Sequence, residues 1–211
     1  MNNSASNTLR LLGAGLRALL VLTVLCGVLY PLAITGIAQA AFNHKANGSE
    51  IKDATGKVVG SSLIGQSYED DLRWFQSRPA AGLAKNTLNT QYDLLVSGAT
   101  NKAADSPDLL KAVEETKAKV LLDNTVPGYT PRLSDIPADA VTSSGSGLDP
   151  NISPAYADLQ IHRVAEKNGL PVATVAKLVA DHTEGRTLGF MGEPRVNVLE
   201  LNVALRAITQ K

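Results

Sequence analysis

The hydrophobic pattern is most pronounced near the N-terminus, where residues 18–43 (ALLVLTVLCGVLYPLAITGIAQAAFN) contain no charged side chain. A helix over residues 18–42 would be about 37 Å long at roughly 1.5 Å per residue. That length crosses a hydrocarbon core of about 30 Å with some tilt. Because so long and uniformly apolar a helix is rare inside a soluble protein, the pattern predicts a transmembrane helix over residues 18–42.

A cleaved signal peptide is the alternative interpretation of this segment. Arg10 and Arg17 would form its positive region, and residues 38–40 (AQA) resemble a cleavage site. The apolar region of a signal peptide usually has about 7–15 residues, and this one is longer. We therefore favour a retained membrane anchor.

The charges that flank the span predict its orientation. Arg10 and Arg17 precede it without any acidic residue, whereas basic and acidic side chains nearly cancel over residues 45–53. By the positive-inside rule, residues 1–17 are then cytoplasmic and residues 43–211 form an extracytoplasmic domain.

Several residues of the span suggest that it packs against other helices. Small residues spaced four apart allow a second helix to come close in lipid, and a proline in mid-helix frees a carbonyl that needs a partner. The residues concerned are Thr23, Gly27, Tyr30, Pro31, Gly36 and Ala40. Glycine and proline are also simply common in membrane helices, which is the alternative explanation.

Beyond the span, the pattern is that of an α+β domain with more helix than strand. Residues 43–56 are typical of a linker, and the β-branched residues in 57–64 predict a strand with a bulge at Gly60. Residues 80–105 have weak periodicity and predict a long loop. Trp74 and Phe75 are expected to pack in the core.

Four helices are predicted after residue 105, each from apolar periodicity and a start signal. The first begins after Ser106, with a Glu115–Lys119 pair on its surface. The second begins after Ser153 and ends at Gly169, and the third follows Pro171. The last begins at Asn197, where Glu200 completes a capping-box pattern. Their apolar stripes are Leu110, Val113, Val120 and Leu121; Ala157, Ile161, Val164 and Ala165; Val172, Val175, Ala176 and Val179; and Val198, Leu201, Leu205 and Ile208.

Composition excludes several classes of function. Twenty basic and twenty acidic residues give a net charge of +0, which argues against a nucleic-acid partner. The single cysteine, Cys26, excludes an internal disulfide and a cysteine-based zinc site. The three histidines, His44, His162 and His182, lack the spacing of metal ligands.

No catalytic motif is apparent, but two glycine-containing loops are candidate anion sites. The tract around Ser146 lacks the glycines of a GxSxG motif, and the residues before Lys57 do not form a P-loop. Residues 143–150 (SSGSGLDP) form either an anion-binding cluster of backbone N–H groups or a flexible turn. In residues 192–195 (GEPR), Arg195 either binds a carboxylate or phosphate or makes a surface ion pair.

The motifs along the chain resemble those of the C subunit of the Kdp-type potassium-transporting ATPase. They begin with Tyr30-Pro31 in the single span and cover nearly the whole chain in order. The others are GSSLIGQ at 60–66, WFQSRPAA at 74–81, VTSSGSGLDPNIS at 141–153, QIHRVA at 160–165 and GEPRVNVLELN at 192–202.

The resemblance implies a single-pass inner-membrane subunit that has no hydrolytic activity of its own. Its partners would be a channel-like potassium-binding subunit, a P-type ATPase subunit and a small stabilising peptide. In this family the C subunit is proposed to act as a catalytic chaperone that raises ATP affinity. The resemblance implies no tightly bound cofactor but possible nucleotide contacts at Ser144, Gly145, Ser146, Gly147 and Gln160.

The nucleotide role conflicts with the predicted topology, because an extracytoplasmic domain cannot reach cytoplasmic ATP. We favour the topology and the hypothesis that the domain covers the outer mouth of the channel-like subunit and modulates ion entry or complex stability.

The sequence departs from the family pattern at residues 97–101 (SGATN), where the family more often has glycine at the position of Ala99. Two other classes remain open: an anchored hydrolase that uses Ser146 with His162 or His182, and a ligand-binding sensor domain.

Overall fold

The computed structural model describes residues 3–69, 71–79 and 97–209, and within these it forms two compact units, Met1–Ser49 and Glu50–Lys211. Most of the predicted loop over residues 80–105 therefore lies outside the described residues. Its described part, residues 97–105, contains neither helix nor strand.

The first unit is a long apolar helix. It comprises α1 (Asn3–Val24), a π-helical turn (Leu25–Leu29) and α2 (Tyr30–Ala41), and the short helix α3 (Asn43–Ala46) follows. The stretch Ser6–Ala41 is long and apolar enough to cross a membrane, and none of it is buried. The predicted helix is thus confirmed, although it begins well before residue 18.

The π-helical turn lies immediately before Tyr30-Pro31, the mid-helix proline noted in the sequence. The Tyr30 N–H donates to the Leu25 carbonyl, five residues back, instead of to the usual fourth. Such a wide turn relieves the clash between a proline ring and the preceding carbonyl. The helix therefore accommodates Pro31 by local widening rather than by ending.

The second unit is α+β, as predicted. Strands β1 (Glu50–Lys52) and β2 (Val58–Ser61) form an antiparallel pair, and β3 (Asn151–Ile152), β5 (Arg195–Asn197) and β4 (Thr183–Glu184) form a second antiparallel sheet in that order. The register of the first pair slips between Val58 and Gly60, so the irregularity falls at Val59 rather than at Gly60. The principal helices are α4 (Pro107–Asn124), α5 (Pro154–Asn168), α6 (Val172–Asp181) and α7 (Val198–Thr209), with short 3₁₀ turns at Leu133–Asp135 and Ala138–Ala140.

The helix boundaries follow the predicted capping signals closely. The Ser153 hydroxyl accepts a hydrogen bond from the Tyr156 N–H at the start of α5, and Gly169 ends that helix with φ of 63°. The Asn197 side chain accepts from the Glu200 N–H at the start of α7. Ser106 precedes α4 without a side-chain cap bond, and its backbone carbonyl accepts from the Leu109 and Leu110 N–H groups.

The core is built from the predicted stripes of α5, α6 and α7. Fully buried members include Val164, Val175 and Leu201, whereas Leu110 and Val172, at the starts of their helices, are exposed. Phe75 is also fully buried and Trp74 packs against the core, as predicted.

The predicted pair Glu115–Lys119 is wrong. Lys119 has an acidic residue four positions away in each direction, and its ammonium contacts Asp123 at 2.6 Å. Glu115 instead lies 3.8 Å from Lys111.

Candidate functional site

Segment 71–79 enters the core at Phe75 and Gln76 and is held there by side chains of α5 and α7. The Phe75 N–H donates to Asn202 Oδ1 at 2.9 Å, and Asn202 Nδ2 donates to the Phe75 carbonyl at 3.0 Å. A side-chain amide thus replaces the neighbouring strand that would normally satisfy an extended backbone. Asn202 is fully buried, so this pairing fixes where the segment lies.

Gln160 repeats the arrangement one residue further along. Its Oε1 accepts from the Gln76 N–H at 2.6 Å and from Arg163 Nη2 at 2.6 Å. Its Nε2 donates to the Gln76 and Tyr156 carbonyls, each at 3.2 Å. Because Gln160 is fully buried and its amide has two partners on each side, these contacts favour a structural role over contact with a nucleotide.

Arg163 is a fully buried cation at the centre of this network. Its described partners are neutral oxygens on three different parts of the unit, with Nε donating to Asn124 Oδ1 at 2.9 Å. The others are the Leu72 carbonyl, the Trp74 carbonyl and Gln160 Oε1. Burial lowers the pKa of Arg163 to about 10, which leaves the guanidinium charged at neutral pH. The cation therefore joins α4, α5 and segment 71–79 without a carboxylate partner in the described structure.

The Ser-Gly loop, residues 143–150, packs on three other segments. The Gly65 N–H donates to the Leu148 carbonyl at 2.8 Å, and a Cβ at Gly65 would lie 2.6 Å from the Asp149 carbonyl oxygen. That close approach requires glycine at residue 65. Arg78 Nη1 contacts Asp149 Oδ2 at 3.0 Å, which attaches the loop to segment 71–79.

A third attachment comes from the loop at residues 97–101. The Gly98 N–H and the Ser97 hydroxyl both donate to the Ser146 carbonyl, at 2.7 and 3.2 Å. The residue with positive φ here is Asn101, at 52°, and Ala99 is outside that region. Asparagine tolerates the left-handed backbone. Alanine at residue 99 introduces no backbone strain, because that residue does not have positive φ.

The polar groups of the Ser-Gly loop are divided between internal bonds and the surface. The Gly147, Leu148 and Asp149 N–H groups donate within the loop, to the Ser144 carbonyl, the Ser146 hydroxyl and the Ser144 hydroxyl. Ser144 and Gly147 are buried, whereas Gly145 and Ser146 are exposed. Among the described residues, the N–H groups of Gly145 and Ser146 have no acceptor. The N–H groups of Ser143 and Ser144 also lack an acceptor there, but these two residues are less exposed, so the tip is the part of the loop most available to an anion.

A shallow cleft of about 620 Å³ lies beside the Ser-Gly loop, and both glycine-containing loops line it. Two of the charged side chains that line it, Glu193 and Arg195, are held in ion pairs with residues outside the lining. Arg195 Nη2 lies 2.6 Å from Glu184 Oε2, and Arg186 pairs with Glu193 at 2.7 Å. Arg195 thus makes the predicted surface ion pair.

The geometry gives no support to the hydrolase hypothesis. The described partners of the Ser146 hydroxyl are the Ser144 hydroxyl, at 3.4 Å, and the Leu148 N–H. His162 stacks on Tyr129 with ring centroids 3.9 Å apart, and His182 Nδ1 contacts the Leu178 carbonyl. In the ranges that the structure covers, no cluster of side chains has the composition of a metal site.

The proposed membrane contacts all lie on the uncovered surface of the long helix. Thr23, Gly27, Tyr30, Pro31, Gly36 and Ala40 are exposed there. A Cβ at Gly27 would lie 3.9 Å from Thr23 Cγ2, and one at Gly36 would contact nothing within 4 Å. Whether another helix packs against these residues stays a prediction.

Sequence reasoning missed the buried polar network, although a signal for it was present. Gln160 lies three residues after Ala157, and Asn202 lies four after Val198, so both polar residues stand close to the predicted apolar stripes. A polar residue in that position is buried and needs partners. Arg163 is found less easily, because its partners are largely backbone carbonyls.

Comparison with known proteins gives a consistent result over the length of the chain. The family model described as the K⁺-transporting ATPase c chain matches residues 12–207. A relative from Streptomyces avermitilis is 64% identical over 99% of this chain and 98% of its own, and one from Streptomyces coelicolor is 65% identical over 97% and 96%. A relative from Caldanaerobacter subterraneus subsp. tengcongensis is 50% identical over 88% and 89%. All three are named potassium-transporting ATPase KdpC subunit, and the chain belongs to this KdpC family.

Proposed function

We propose that this chain is an accessory subunit of an ATP-driven potassium-uptake complex in the bacterial inner membrane. The observation that carries the proposal is the family match, which extends from residue 12 in the apolar helix to residue 207 in α7. The relatives are named as subunits of a potassium-transporting ATPase. The partners are the channel-like potassium-binding subunit, the P-type ATPase subunit and the small stabilising peptide.

The globular unit works from the extracytoplasmic side in this proposal. Arg10 and Arg17 precede the apolar stretch, which favours a cytoplasmic N-terminus. The uncovered surface around Thr23 and Gly27 supplies a face for packing against partner helices. The unit then covers the outer mouth of the channel-like subunit and modulates ion entry or the stability of the complex.

The subunit acts by binding rather than by chemistry of its own. The polar side chains of the core, Gln160, Arg163 and Asn202, are committed to holding segment 71–79. Ser146, His162 and His182 are directed to different partners. This arrangement supports the interpretation that the globular unit is a rigid module that docks on its partners.

The topology and the assembly are tested together in the full chain. A C-terminal reporter that is active only outside the cytoplasm is expected to be active, and mild detergent extraction is expected to recover the chain with the large membrane subunits. A matched control carries the reporter at the N-terminus, where it should be inactive. Cytoplasmic activity of the C-terminal fusion, or recovery of the chain alone, would contradict the proposal.

A nucleotide role at the Ser-Gly loop is a second candidate, in which the chain is a catalytic chaperone that raises ATP affinity. It is favoured by one observation, the exposed N–H groups of Gly145 and Ser146 without a described acceptor. Backbone N–H groups in such a loop can bind phosphate oxygens. The candidate requires the loop to face the cytoplasm or the ATPase subunit.

The variant Gly145→Val separates the two candidates. A Cβ at Gly145 meets nothing within 4 Å and the residue does not have positive φ, so valine should be tolerated while its branched side chain obstructs the N–H groups. We expect the KM for ATP of the assembled complex to stay within about twofold of wild type, a free-energy change of about 0.4 kcal/mol.

Gly185→Val is the matched control, because residue 185 also has open space around its Cα. A KM for ATP that rises about tenfold in Gly145→Val alone would instead support nucleotide binding at the loop, since the lost contacts would then be worth about 1.4 kcal/mol.

A further inference from the structure

An exposed apolar loop projects between β4 and β5. We call residues 187–191 (TLGFM) the apical loop. Leu188 is 80% exposed, Phe190 70% and Met191 51%. Single exposed apolar side chains are ordinary on protein surfaces, but three within four residues form a patch of the kind that marks an interaction site.

The apical loop has a defined backbone whose polar groups are mostly satisfied internally. Thr187 and Met191 form a bridge, each N–H donating to the other's carbonyl at 2.9 Å. The Gly189 N–H donates to the Arg186 carbonyl, and the Phe190 N–H to that of Thr187. Because these backbone hydrogen bonds are already made, removing water from around the loop costs little free energy.

Leu188 is held in a conformation that a leucine rarely adopts. Its φ is +54°, in the left-handed region, beside Gly189 at 81°. Most residues with side chains avoid that region, and those held there cluster at functional sites. Glycine would suit this position better for folding, so the leucine side chain at the apex is not explained by the fold.

The charges below the apical loop indicate the chemistry of its partner. Two ion pairs lie on the residues that flank the loop, which we call its stem. Arg186 pairs with Glu193 at 2.7 Å, and Arg195 pairs with Glu184 at 2.6 Å. Segments that bind lipid surfaces usually present unpaired basic side chains to the phosphates. Apolar anchors surrounded by a charge-balanced polar rim are typical of protein interfaces.

We propose that the apical loop is a docking element that inserts Leu188 and Phe190 into an apolar pocket on the extracytoplasmic face of a membrane subunit of the same ATPase. This inference rests on the proposed function. The apex supplies the anchors, Met191 adapts to the pocket wall, and the paired stem charges form the rim.

The first test uses the full chain expressed with its partner subunits. Leu188→Gly removes the anchor while relieving the strained φ, and Phe190→Ser removes the second anchor. The double variant should fold normally but lose at least about tenfold in retention when the complex is washed in detergent. Leu122→Ser is the matched control, because Leu122 is 76% exposed on α4, and its retention should equal wild type. Unchanged retention of the double variant would overturn the proposal.

The second test identifies what the loop contacts. The photo-cross-linking residue p-benzoylphenylalanine replaces Phe190 in one sample and Leu122 in another, and the membranes are irradiated before extraction. A cross-link from residue 190 to a partner membrane subunit, absent from residue 122, is the expected result. A cross-link only to lipid, only to a second copy of the chain, or to nothing would overturn the inference.

The two tests also distinguish this inference from the proposed function. If the unmodified chain co-purifies with the membrane subunits but residue 190 gives no cross-link to them, only the docking element is wrong. If the unmodified chain does not co-purify at all, the proposed function is wrong, and the docking element, which depends on it, is wrong as well.

Discussion

Replacing Arg163 with methionine is expected to lower the free energy of unfolding of the globular unit by about 4 kcal/mol, since four oxygens lose a donor at once. Two of them, Asn124 Oδ1 and the Leu72 carbonyl, have no other donor among the described residues. Methionine fills a similar volume but cannot donate to Asn124 Oδ1, Gln160 Oε1 or the two backbone carbonyls. Each buried acceptor left without a partner costs roughly 1–3 kcal/mol. The charge itself is not needed elsewhere in the described structure, so the loss is one of hydrogen bonds.

The measurement is urea unfolding of the full chain in mild detergent, followed by the fluorescence of Trp74. Trp74 is the single tryptophan, and its carbonyl is one of the Arg163 partners. Arg163→Lys should recover only part of the loss, because one ammonium cannot reach acceptors on three segments. Arg132→Met is the control, since Arg132 pairs with Asp135 on the surface and should leave the midpoint almost unchanged. An Arg163→Met midpoint equal to that control would contradict the proposed role of the network.

The parts of the fold that could be predicted are those that local sequence determines. The apolar helix, the stripes of α5 to α7 and the caps at Ser153 and Asn197 each depend on residues within a few positions of one another. Their spacing alone expresses the 3.6-residue period, so no tertiary information was needed. The local errors were choices between nearby residues. Lys119, for example, pairs with Asp123 rather than with Glu115.

The site depends instead on contacts between distant segments. Arg163 reaches the Leu72 carbonyl across 91 residues, and Ser146 meets Ser97 across 49. Backbone carbonyls have no sequence signature, so these pairings could not be predicted from composition or periodicity. The Ser-Gly loop was recognised as a turn or anion site, but Gly65 as its close contact was not.

The exposure of the apical loop is the complementary case. Residues 187–191 have the composition of a short core segment, but the fold leaves Leu188 and Phe190 exposed between the paired strands β4 and β5. Whether an apolar residue belongs to the core or to an exposed patch depends on whether the fold covers it. Truncation of Phe75 is therefore expected to lower stability, whereas truncation of Phe190 is not.

Phe75→Ala is expected to destabilise the globular unit by about 3–5 kcal/mol, because it removes a fully buried ring and leaves a cavity in the core. The backbone bonds to Asn202 remain available to alanine, so the loss isolates the packing of the ring. The same segment carries Arg78, which holds Asp149 of the Ser-Gly loop at 3.0 Å. Loss of the ring should therefore loosen that loop as well as the core.

The stability is measured by urea unfolding of the full chain, and the loop by protease cleavage within residues 143–150. Phe190→Ala is the matched control, because that ring is largely exposed and its truncation should leave stability unchanged within about 0.5 kcal/mol. Phe75→Leu keeps most of the volume and should cost less than about 1.5 kcal/mol. If Phe75→Ala and Phe190→Ala unfold at the same urea concentration, segment 71–79 is not a core element, and the support it gives to the Ser-Gly loop must come from elsewhere.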